Sequence, residues 1–336
     1  MSSAPVAAVI IVNFNTRDET IAAVRSLREN TTALLDVVVV DNGSSDGSVD
    51  ALRQAFPDIH VIAAGENLGF AAGVNLGAAH SAAPNIVLLN PDTEVLPGAI
   101  DALLAFARTH PLFGLYGGRT LRRDGSTDPS SCWGAMSLWS LMCFATGLST
   151  VFKRSRLFDP ESLGRWQRDT VREVPVITGC LLLTSRANWD RLGGMDERFF
   201  LYGEDADFSH RARRRGLYPV VVPSATIIHD VGGSTASTGR KMCMVMAGKA
   251  TVLHTSWARP ARAVGIRLLE LGALLRSRNP MWAEVWHRRR DWRSGYPTAR
   301  PALFGPPDER SGADPGARAA ESLPDTRQPI AAIAPS

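Results

Sequence analysis

The chain has 336 residues, 45% of them apolar and 21% charged, and its 37 Lys and Arg against 33 Asp and Glu leave a formal net charge of +4. That length excludes a peptide-sized module and supports one large α/β domain, or two smaller ones, around a well-buried core. The composition is that of an ordinary soluble globular protein, and so mild a charge gives no reason to expect a nucleic acid partner.

Val6 to Val12 is a continuous apolar run, as expected of a strand covered on both faces in a mostly parallel sheet. With no Lys or Arg before it, and only this short run, it is neither a signal peptide nor a spanning helix. Asn13-Phe14-Asn15-Thr16 ends it. A helix is expected from about Asp18 to Glu29, with Ile21, Val24 and Leu27 near a spacing of three and Thr16 as its cap. A second buried strand, Asp36 to Asp41, closes in Asn42-Gly43-Ser44-Ser45-Asp46-Gly47, and a helix (Ser48 to Ala55) and a third strand (Ile59 to Ala63) follow. Strand, helix, strand, helix, strand in about 60 residues is the pattern of a nucleotide-binding α/β half-domain. Asn67-Leu68-Gly69-Phe70 then opens a helix whose glycines, Gly69, Gly73 and Gly77, permit close approach of the backbone to a neighbour or ligand.

Ile86 to Leu89 gives a fourth strand that runs into Asn90-Pro91-Asp92, followed by a helix (Pro97 to Ala107) and a short strand (Gly114 to Arg122). The pattern weakens from Arg123 to Arg172. That region holds the uncharged stretch Pro129 to Phe152, whose Ser, Gly and Thr interruptions argue against a membrane span. Val174 to Thr184 is strand-like, broken at Thr178-Gly179-Cys180, and strands are expected at Leu217 to Val222 and Ala225 to His229. A loop at Gly232-Gly233-Ser234-Thr235 leads to a helical region from Gly239 to Arg290, in which Val264, Leu268, Leu271 and Leu275 form a stripe at spacings of three and four. Arg259 to Arg293 holds nine arginines against three acids. From residue 295 the chain is rich in Pro, Ala, Gly and charge without periodicity, and disorder is expected. The cysteines, Cys132, Cys143, Cys180 and Cys243, are scattered without a CxxC pair, so no zinc site or disulfide framework is suggested, and reduced thiols in the cytoplasm are expected.

Three places offer chemistry. Asn90-Pro91-Asp92 lies at the carboxyl end of a strand, where open α/β sheets bind ligands; Asp92 suits a hard divalent cation, or an ordinary Pro-containing turn. Asp41 ends a neighbouring strand, where it can accept from the imide N–H of a pyrimidine base or close an Asx-turn with Asn42-Gly43. Glu204, Asp205 and Asp207 follow the aromatic cluster Phe199-Phe200-Leu201-Tyr202 and precede Arg211-Ala212-Arg213-Arg214-Arg215. Carboxylates crowded like this repel, which raises at least one pKa unless a metal, a cation or a reacting proton uses them. The alternative is a helix start, where acids favour the first turn. No glycine follows the first strand, against a dinucleotide fingerprint, and no Walker sequence is present.

Taken in order, Val12-Asn13-Phe14-Asn15, Val40-Asp41-Asn42-Gly43-Ser44-Ser45-Asp46-Gly47-Ser48, Asn67-Leu68-Gly69-Phe70-Ala71-Ala72-Gly73-Val74-Asn75, Asn90-Pro91-Asp92, Thr178-Gly179-Cys180, Gly193-Gly194-Met195-Asp196-Glu197-Arg198-Phe199-Phe200 and Glu204-Asp205-Ala206-Asp207 resemble the inverting family 2 glycosyltransferases of GT-A fold. The likeness is greatest to their bacterial rhamnosyltransferase-like branch and covers about residues 5–255. It implies an α/β fold with a Rossmann-like, mostly parallel central sheet flanked by helices. The expected organisation is a catalytic domain at 1–238, with a nucleotide-binding half at about 5–122 and an acceptor half at about 123–238, then a helical extension at 239–294 and a disordered tail at 295–336.

The resemblance further implies a nucleotide-diphospho-sugar donor, with L-rhamnose from dTDP-rhamnose as the expected case, and Mg²⁺ or Mn²⁺. The acceptor would be a glycan or a polyprenyl-diphosphate-linked sugar of cell-envelope polysaccharide synthesis. Asn90-Pro91-Asp92 stands in the place of the family's DxD motif, with Asn for its first Asp, and Asp92 would hold the metal together with His229. Asn13, Asn15, Asp41, Asn67, Gly69, Asn75 and Asn90 fall on the donor side. Asp205 matches the general base of the family's ED motif, with Thr178, Gly179, Tyr202, Glu204 and Asp207 on the acceptor side. The uncharged stretch and the arginine-rich helices fit docking on an anionic membrane at its inner face, or core packing and a solvated face. Two other readings are a non-catalytic scaffold that binds a sugar nucleotide, and a sugar-nucleotide pyrophosphorylase; the second would show a Gly-rich basic loop after the first strand, which Asn13 to Arg17 lacks.

Overall fold

In the computed structural model of the chain, residues 4–229 and 239–305 are described; the expected loop at Gly232-Gly233-Ser234-Thr235 and the chain beyond residue 305 lie outside them. The first half alternates as expected: β1 (Ala7–Asn13), α1 (Arg17–Glu29), β2 (Leu35–Asp41), α2 (Ser48–Ala55), β3 (His60–Ala63), α3 (Phe70–Ala79), β4 (Asn85–Leu89), β5 (Thr93–Val95), α4 (Ala99–Thr109) and β6 (Gly114–Leu121). β1 lies parallel between β2 and β4, and all its residues are buried. Ala7, Val9 and Ile11 face a core shared with α1, α2 and α4, while Ala8, Ile10 and Val12 face a second core shared with α3. Two apolar faces explain why the run contains no polar residue before Asn13.

The middle of the chain comprises β7 (Thr127–Asp128), β8 (Cys132–Trp133), α5 (Leu138–Thr146), α6 (Leu148–Val151), β9 (Arg172–Glu173), β10 (Val176–Ile177), β11 (Leu181–Ser185), α7 (Arg186–Leu192), α8 (Glu204–Arg214) and β12 (Tyr218–His229). The main sheet runs β3-β2-β1-β4-β11-β6-β12-β5, with β7 beside β6 and β9 beside β12. β11 enters antiparallel between β4 and β6, which carries the end of β4 toward the second half. The two strands expected between Leu217 and His229 are one: β12 continues past a register shift between Val221 and Thr226, where Pro223 cannot donate to the ladder. α5, in the region of weak pattern, starts at a Ser137–Ser140 capping box.

The C-terminal helices are α9 (Gly239–Ser256), α10 (Arg259–Leu275), α11 (Pro280–His287), α12 (Arg289–Trp292) and α13 (Ala299–Phe304). They form a third core with Leu141 and Ala145 of α5 and with Phe200. Two expectations are corrected here. Residues 295–305 are packed, because Tyr296, Ala299 and Leu303 are buried at helical spacing among prolines and arginines that obscure it. In α10 only Leu268 of the expected stripe is buried; Val264, Leu271 and Leu275 are exposed, while Ile266, Leu269 and Ala273 turn inward. The period was legible, but the buried face is rotated from the one expected. No helix among the described residues is long and apolar enough to cross a membrane.

α9 presses on the loop before α8 at Gly248, where a Cβ would collide with the Tyr202 carbonyl. Alanine favours a helix interior over glycine by about 1 kcal/mol, but forced overpacking costs about 1–3 kcal/mol. Gly248→Ala is therefore expected to lower the urea unfolding midpoint; an unchanged or higher midpoint would show that α9 does not press on this loop.

Candidate active site

The β1–β2 register sets Asn13 opposite Asp41. Both are buried, and Asn13 Nδ2 donates to Asp41 Oδ1 at 2.6 Å and to Ser44 Oγ at 3.0 Å. Asn13 Oδ1 accepts from the hydroxyls of Thr16 and Thr20 at 2.8 and 2.9 Å, and the Ser44 N–H donates to Asp41 Oδ2 at 2.9 Å. Asn15, with φ of 53°, accepts from the Ser45 N–H at 2.8 Å. These bonds join the loops after β1 and β2 into one rim, and each Asp41 oxygen keeps acceptor capacity for a further donor.

Asn67 accepts from the Gly69 N–H at 3.0 Å, and Gly69, with φ of 86°, starts α3. A Cβ there would lie 2.5 Å from the Phe200 carbonyl oxygen, to which Phe70 N–H donates at 2.8 Å. Gly69 thus lets the loop at the start of α3 touch the loop that leads to Glu204. Asn75, expected on the donor side, has other partners: its amide exchanges two 2.9 Å bonds with the Met195 backbone and donates to Glu197 Oε1 at 2.8 Å. It holds the 195–197 loop.

The end of β4 meets the Thr178-Gly179-Cys180 segment through a 3.3 Å bond from Asn90 N–H to the Cys180 carbonyl. Antiparallel pairing of β12 with β5 sets His229 opposite Thr93 and brings its Nε2 to 3.3 Å from Asp92 Oδ1. The other ring nitrogen, Nδ1, lies 3.4 Å from Asp128 Oδ2 and 3.3 Å from Ser130 Oγ. Burial would lower the His229 pKa, but its hydrogen bonds to Asp128 and Asp92 and their charges outweigh burial and raise it to about 9. Burial would raise that of Asp128, yet its bonds to His229 and Ser130 hold it below the ordinary value.

Asp128 escaped sequence reasoning. Before Pro129 it reads as a turn residue, and it does cap the short turn Pro129–Ser131; its only other signal is its place at the edge of a long uncharged stretch. Nothing in spacing links it to a histidine 101 residues away.

The donor set fits a hard cation with an incomplete protein shell. Among the described residues no three His, Cys, Asp or Glu side chains form a metal cage. Asp92 would supply one oxygen and His229, once a bound cation displaces the proton that Asp92 and Asp128 favour on its ring, one nitrogen, and such cations commonly take their remaining ligands from phosphate and water. Asp128 behind His229 stands where a carboxylate would fix the orientation and tautomer of a metal-ligating imidazole. A cavity of about 300 Å³, lined by Thr16, Glu19, Arg25, Glu94 and Arg123 among others, reaches Asp92 from the first loop.

α8 begins at Gly203, preceded by Tyr202 with φ of 68°, a left-handed conformation that costs a non-glycine residue about 1–3 kcal/mol. Asp205 is half-buried and accepts from the N–H groups of Ala206, at 2.7 Å, and Gly179. Burial still pushes its pKa up. Glu204 is buried, one carboxylate oxygen has no partner, and burial together with the Asp205 charge pushes its pKa further up. The Tyr202 hydroxyl, raised to about 12 by burial, feels both Glu204 and Asp92. The Cys180 thiol, also raised to about 12 by burial, feels Asp205 and Asp128. Thr178 ties this segment to the Asp128 turn, donating Oγ1–H to the Ser130 carbonyl at 2.7 Å and N–H to that of Ser131 at 3.1 Å.

Asp207, expected on the acceptor side, accepts from Arg211 Nε at 2.7 Å, and Arg211 donates onward to the carbonyls of Leu192 and Gly194. It anchors α8 to the preceding loop. The acidic run therefore divides into three: Asp207 is a fastener, Glu204 a buried carboxyl that favours its proton, and Asp205 the carboxylate with access and oriented donors.

Glu204 also yields a stability prediction. A carboxyl whose native pKa is raised from 4.5 to about 8 contributes stability that is full below 4.5 and lost as pH rises through about 8. Glutamine has no proton to lose, so Glu204→Gln is expected to gain in melting temperature relative to wild type as pH rises from 5 to 8. A difference that is constant with pH would contradict the raised pKa.

Residues 8–161 match the family model for Glycosyl transferase family 2. The chain is 31% identical over 250 residues to an N-acetylglucosaminyl-diphospho-decaprenol L-rhamnosyltransferase of Mycobacterium tuberculosis, the match spanning 67% of this chain and 77% of that protein. It is 27% identical over 215 residues to the low-salt glycan biosynthesis hexosyltransferase Agl10 of Haloferax volcanii, spanning 62% of each. In fold it is similar to the mannosyltransferase PcManGT of Pyrobaculum calidifontis, solved with GDP-Man and Mn²⁺, with a TM-score of 0.50, 18% identity, and coverage of 90% of this chain and 86% of that one.

Proposed function

The chain belongs to glycosyl transferase family 2, and from that premise we propose that it is an inverting, divalent-metal-dependent transferase that moves L-rhamnose from dTDP-rhamnose to a polyprenyl-diphosphate-linked sugar. The observation that carries this reading is the pair of unlike groups linked through Thr178-Gly179-Cys180: Asp92–His229–Asp128 on one side, and Asp205 on the other. The relative that names a lipid-linked N-acetylglucosamine acceptor and a rhamnosyl product supports the substrate class.

When bound at Asp92 and His229, a divalent cation would neutralise charge growing on the leaving diphosphate. Asp205 takes the proton of the acceptor hydroxyl as its oxygen attacks the anomeric carbon from the face opposite the diphosphate. The bond from that carbon to the diphosphate oxygen breaks, its electron pair leaves with the nucleotide, and the configuration inverts. Gly179 and Ala206 N–H groups hold the Asp205 carboxylate in one orientation, and its raised pKa suits a base working near neutral pH.

The test is incubation of the purified chain with dTDP-rhamnose, Mg²⁺ or Mn²⁺, and a synthetic prenyl-diphospho-N-acetylglucosamine. The expected result is acceptor-dependent dTDP release and an inverted rhamnoside, both abolished by EDTA. Release of dTDP without a glycoside, or a glycoside of retained configuration, would overturn the proposal.

The same proposal places the chain against an anionic bilayer. α5 and α10 pack on each other, and Trp139, Met142, Val264, Leu271 and Leu275 on these helices stay exposed beside Arg259 and Arg267. Exposed apolar side chains on helices that also carry exposed arginines, Arg267 being paired with Glu270 at 2.9 Å, suit an interface between headgroups and acyl chains. Cosedimentation with anionic vesicles at low salt is expected; none would refute this placement.

A further inference from the structure

The acceptor half contains a cavity that the site above does not use. It has a volume of about 340 Å³ and is lined by Lys153, Arg154, Arg165 and Arg168 together with Trp133 and Trp166. Its one acidic lining residue, Asp159, already accepts from the Arg154 backbone N–H at 2.8 Å. Among the described residues none of the four cations has a carboxylate within ion-pair distance, whereas the partly buried Arg211 is paired with Asp207 at 2.7 Å.

Arg168 is the informative member. It is only 2% exposed, its Nη1 and Nη2 donate to the carbonyls of Trp166 and Ser162 at 2.6 and 3.1 Å, and its Nε has no partner. Its φ of 58° and that of Arg154, 59°, lie in the left-handed region that residues with side chains rarely adopt. The guanidinium also lies over the Trp166 ring, 5.3 Å from its centroid, and meets the Cys132 thiol. Every partner is neutral, so its charge is left without a counter-ion, which is unfavourable for a buried cation unless an anion completes it, and strained backbone of this kind clusters at ligand clamps.

The surroundings say which anion. Thr127 and Pro129 line the cavity and flank Asp128, so it adjoins the His229 side of the active site. Ser149 and Thr150 line it as well, and the residues that follow them, Val151 and Phe152, are 75% and 47% exposed, as is Leu157 at 59%. A cationic cavity bordered by exposed apolar side chains matches an amphiphile with a phosphate head and a hydrocarbon tail.

We propose that this cavity binds the diphosphate of a prenyl-diphosphate-linked acceptor, with its hydrocarbon chain leaving over Val151, Phe152 and Leu157. The assignment rests on the reading of the chain as a transferase acting on a lipid-linked sugar. It makes Arg168 and its neighbours specificity determinants for the acceptor, separate from the donor diphosphate at Asp92.

The test uses the full chain in EDTA, with inorganic pyrophosphate and farnesyl diphosphate as probes and quenching of tryptophan fluorescence as the readout, since Trp133 and Trp166 line the cavity. Both probes are expected to bind, the prenyl diphosphate on the order of tenfold or more tightly because its chain buries apolar surface. Lys153 and Arg165 are exposed, so Lys153→Gln/Arg165→Gln should fold; it is expected to weaken both probes, and to raise the acceptor KM, by about tenfold with donor KM kept. Asp92→Ala should leave farnesyl diphosphate binding intact. Unchanged binding in the double variant, loss of binding in Asp92→Ala, or binding of pyrophosphate but no gain from the prenyl chain would each overturn the proposal. Absence of any transfer would sink the proposed reaction alone, because the binding arm needs no turnover.

Discussion

Asp205→Asn is expected to lower kcat by a factor of about 10²–10⁴ and to leave donor affinity unchanged, since that is the range a positioned general base contributes. Asparagine keeps an oxygen that can accept from the Gly179 and Ala206 N–H groups, so the geometry survives and only proton acceptance is lost. The pH profile supplies an independent check. The base must be ionised, so wild-type kcat should rise with pH through an acid limb near the Asp205 value of about 6, above the ordinary aspartate value of 3.8. Stability runs the opposite way: a raised carboxyl pKa contributes stability that is full below 3.8 and lost as pH rises through about 6. Residual activity in Asp205→Asn should lack that limb. If the variant lost donor affinity as much as turnover, Asp205 would belong to the donor site and its assignment as the base would fail.

The second large effect is expected at Asp92. Asp92→Ala should weaken metal-dependent donor binding by at least about 100-fold, the upper end of what removal of an outer metal-site partner costs. Asp128→Asn should lie within about 10–100-fold, because it removes the carboxylate that orients His229 and leaves the first ligands in place. Calorimetric titration of dTDP with and without Mn²⁺ measures both. The two protein ligands leave most of the coordination shell to the diphosphate, so ion and nucleotide should bind together: without Mn²⁺ the wild type and Asp92→Ala should converge. Metal-dependent affinity in Asp92→Ala equal to wild type would remove Asp92 from the metal site.

These two variants test residues whose types and order were legible in the chain but whose partners were not. Asp92 could be placed at the end of a strand from the apolar run Ile86 to Leu89. Its companion Asp128 could not, because it lies within a region of weak pattern and reaches His229 only through the sheet: β7 pairs with β6, and β6 with β12. The acidic run shows the same limit. Composition announced three crowded carboxylates, but only packing decides that Arg211 takes Asp207, that Glu204 is sealed without a partner on one oxygen, and that Asp205 keeps access. Asn75 is a similar case, since its amide was taken by a backbone 120 residues away.

The residues alone determined what depends on near neighbours: the two-faced apolar runs of β1, β2 and β4, the span of α2, the loop residues after each strand, and the ordered motifs that carry the family likeness. Those properties arise from backbone sterics, burial of alternating side chains and local turn chemistry, all read within a few positions. The tertiary structure decided which polar groups spend their hydrogen-bonding capacity on one another, which face of α10 turns inward, and that Arg168 lies buried with an unpartnered Nε among other cations. The physical reason is that a side chain's charge state and free valence depend on whatever the sheet order and helix packing bring within about 3–4 Å of it, and sequence distance says little about that.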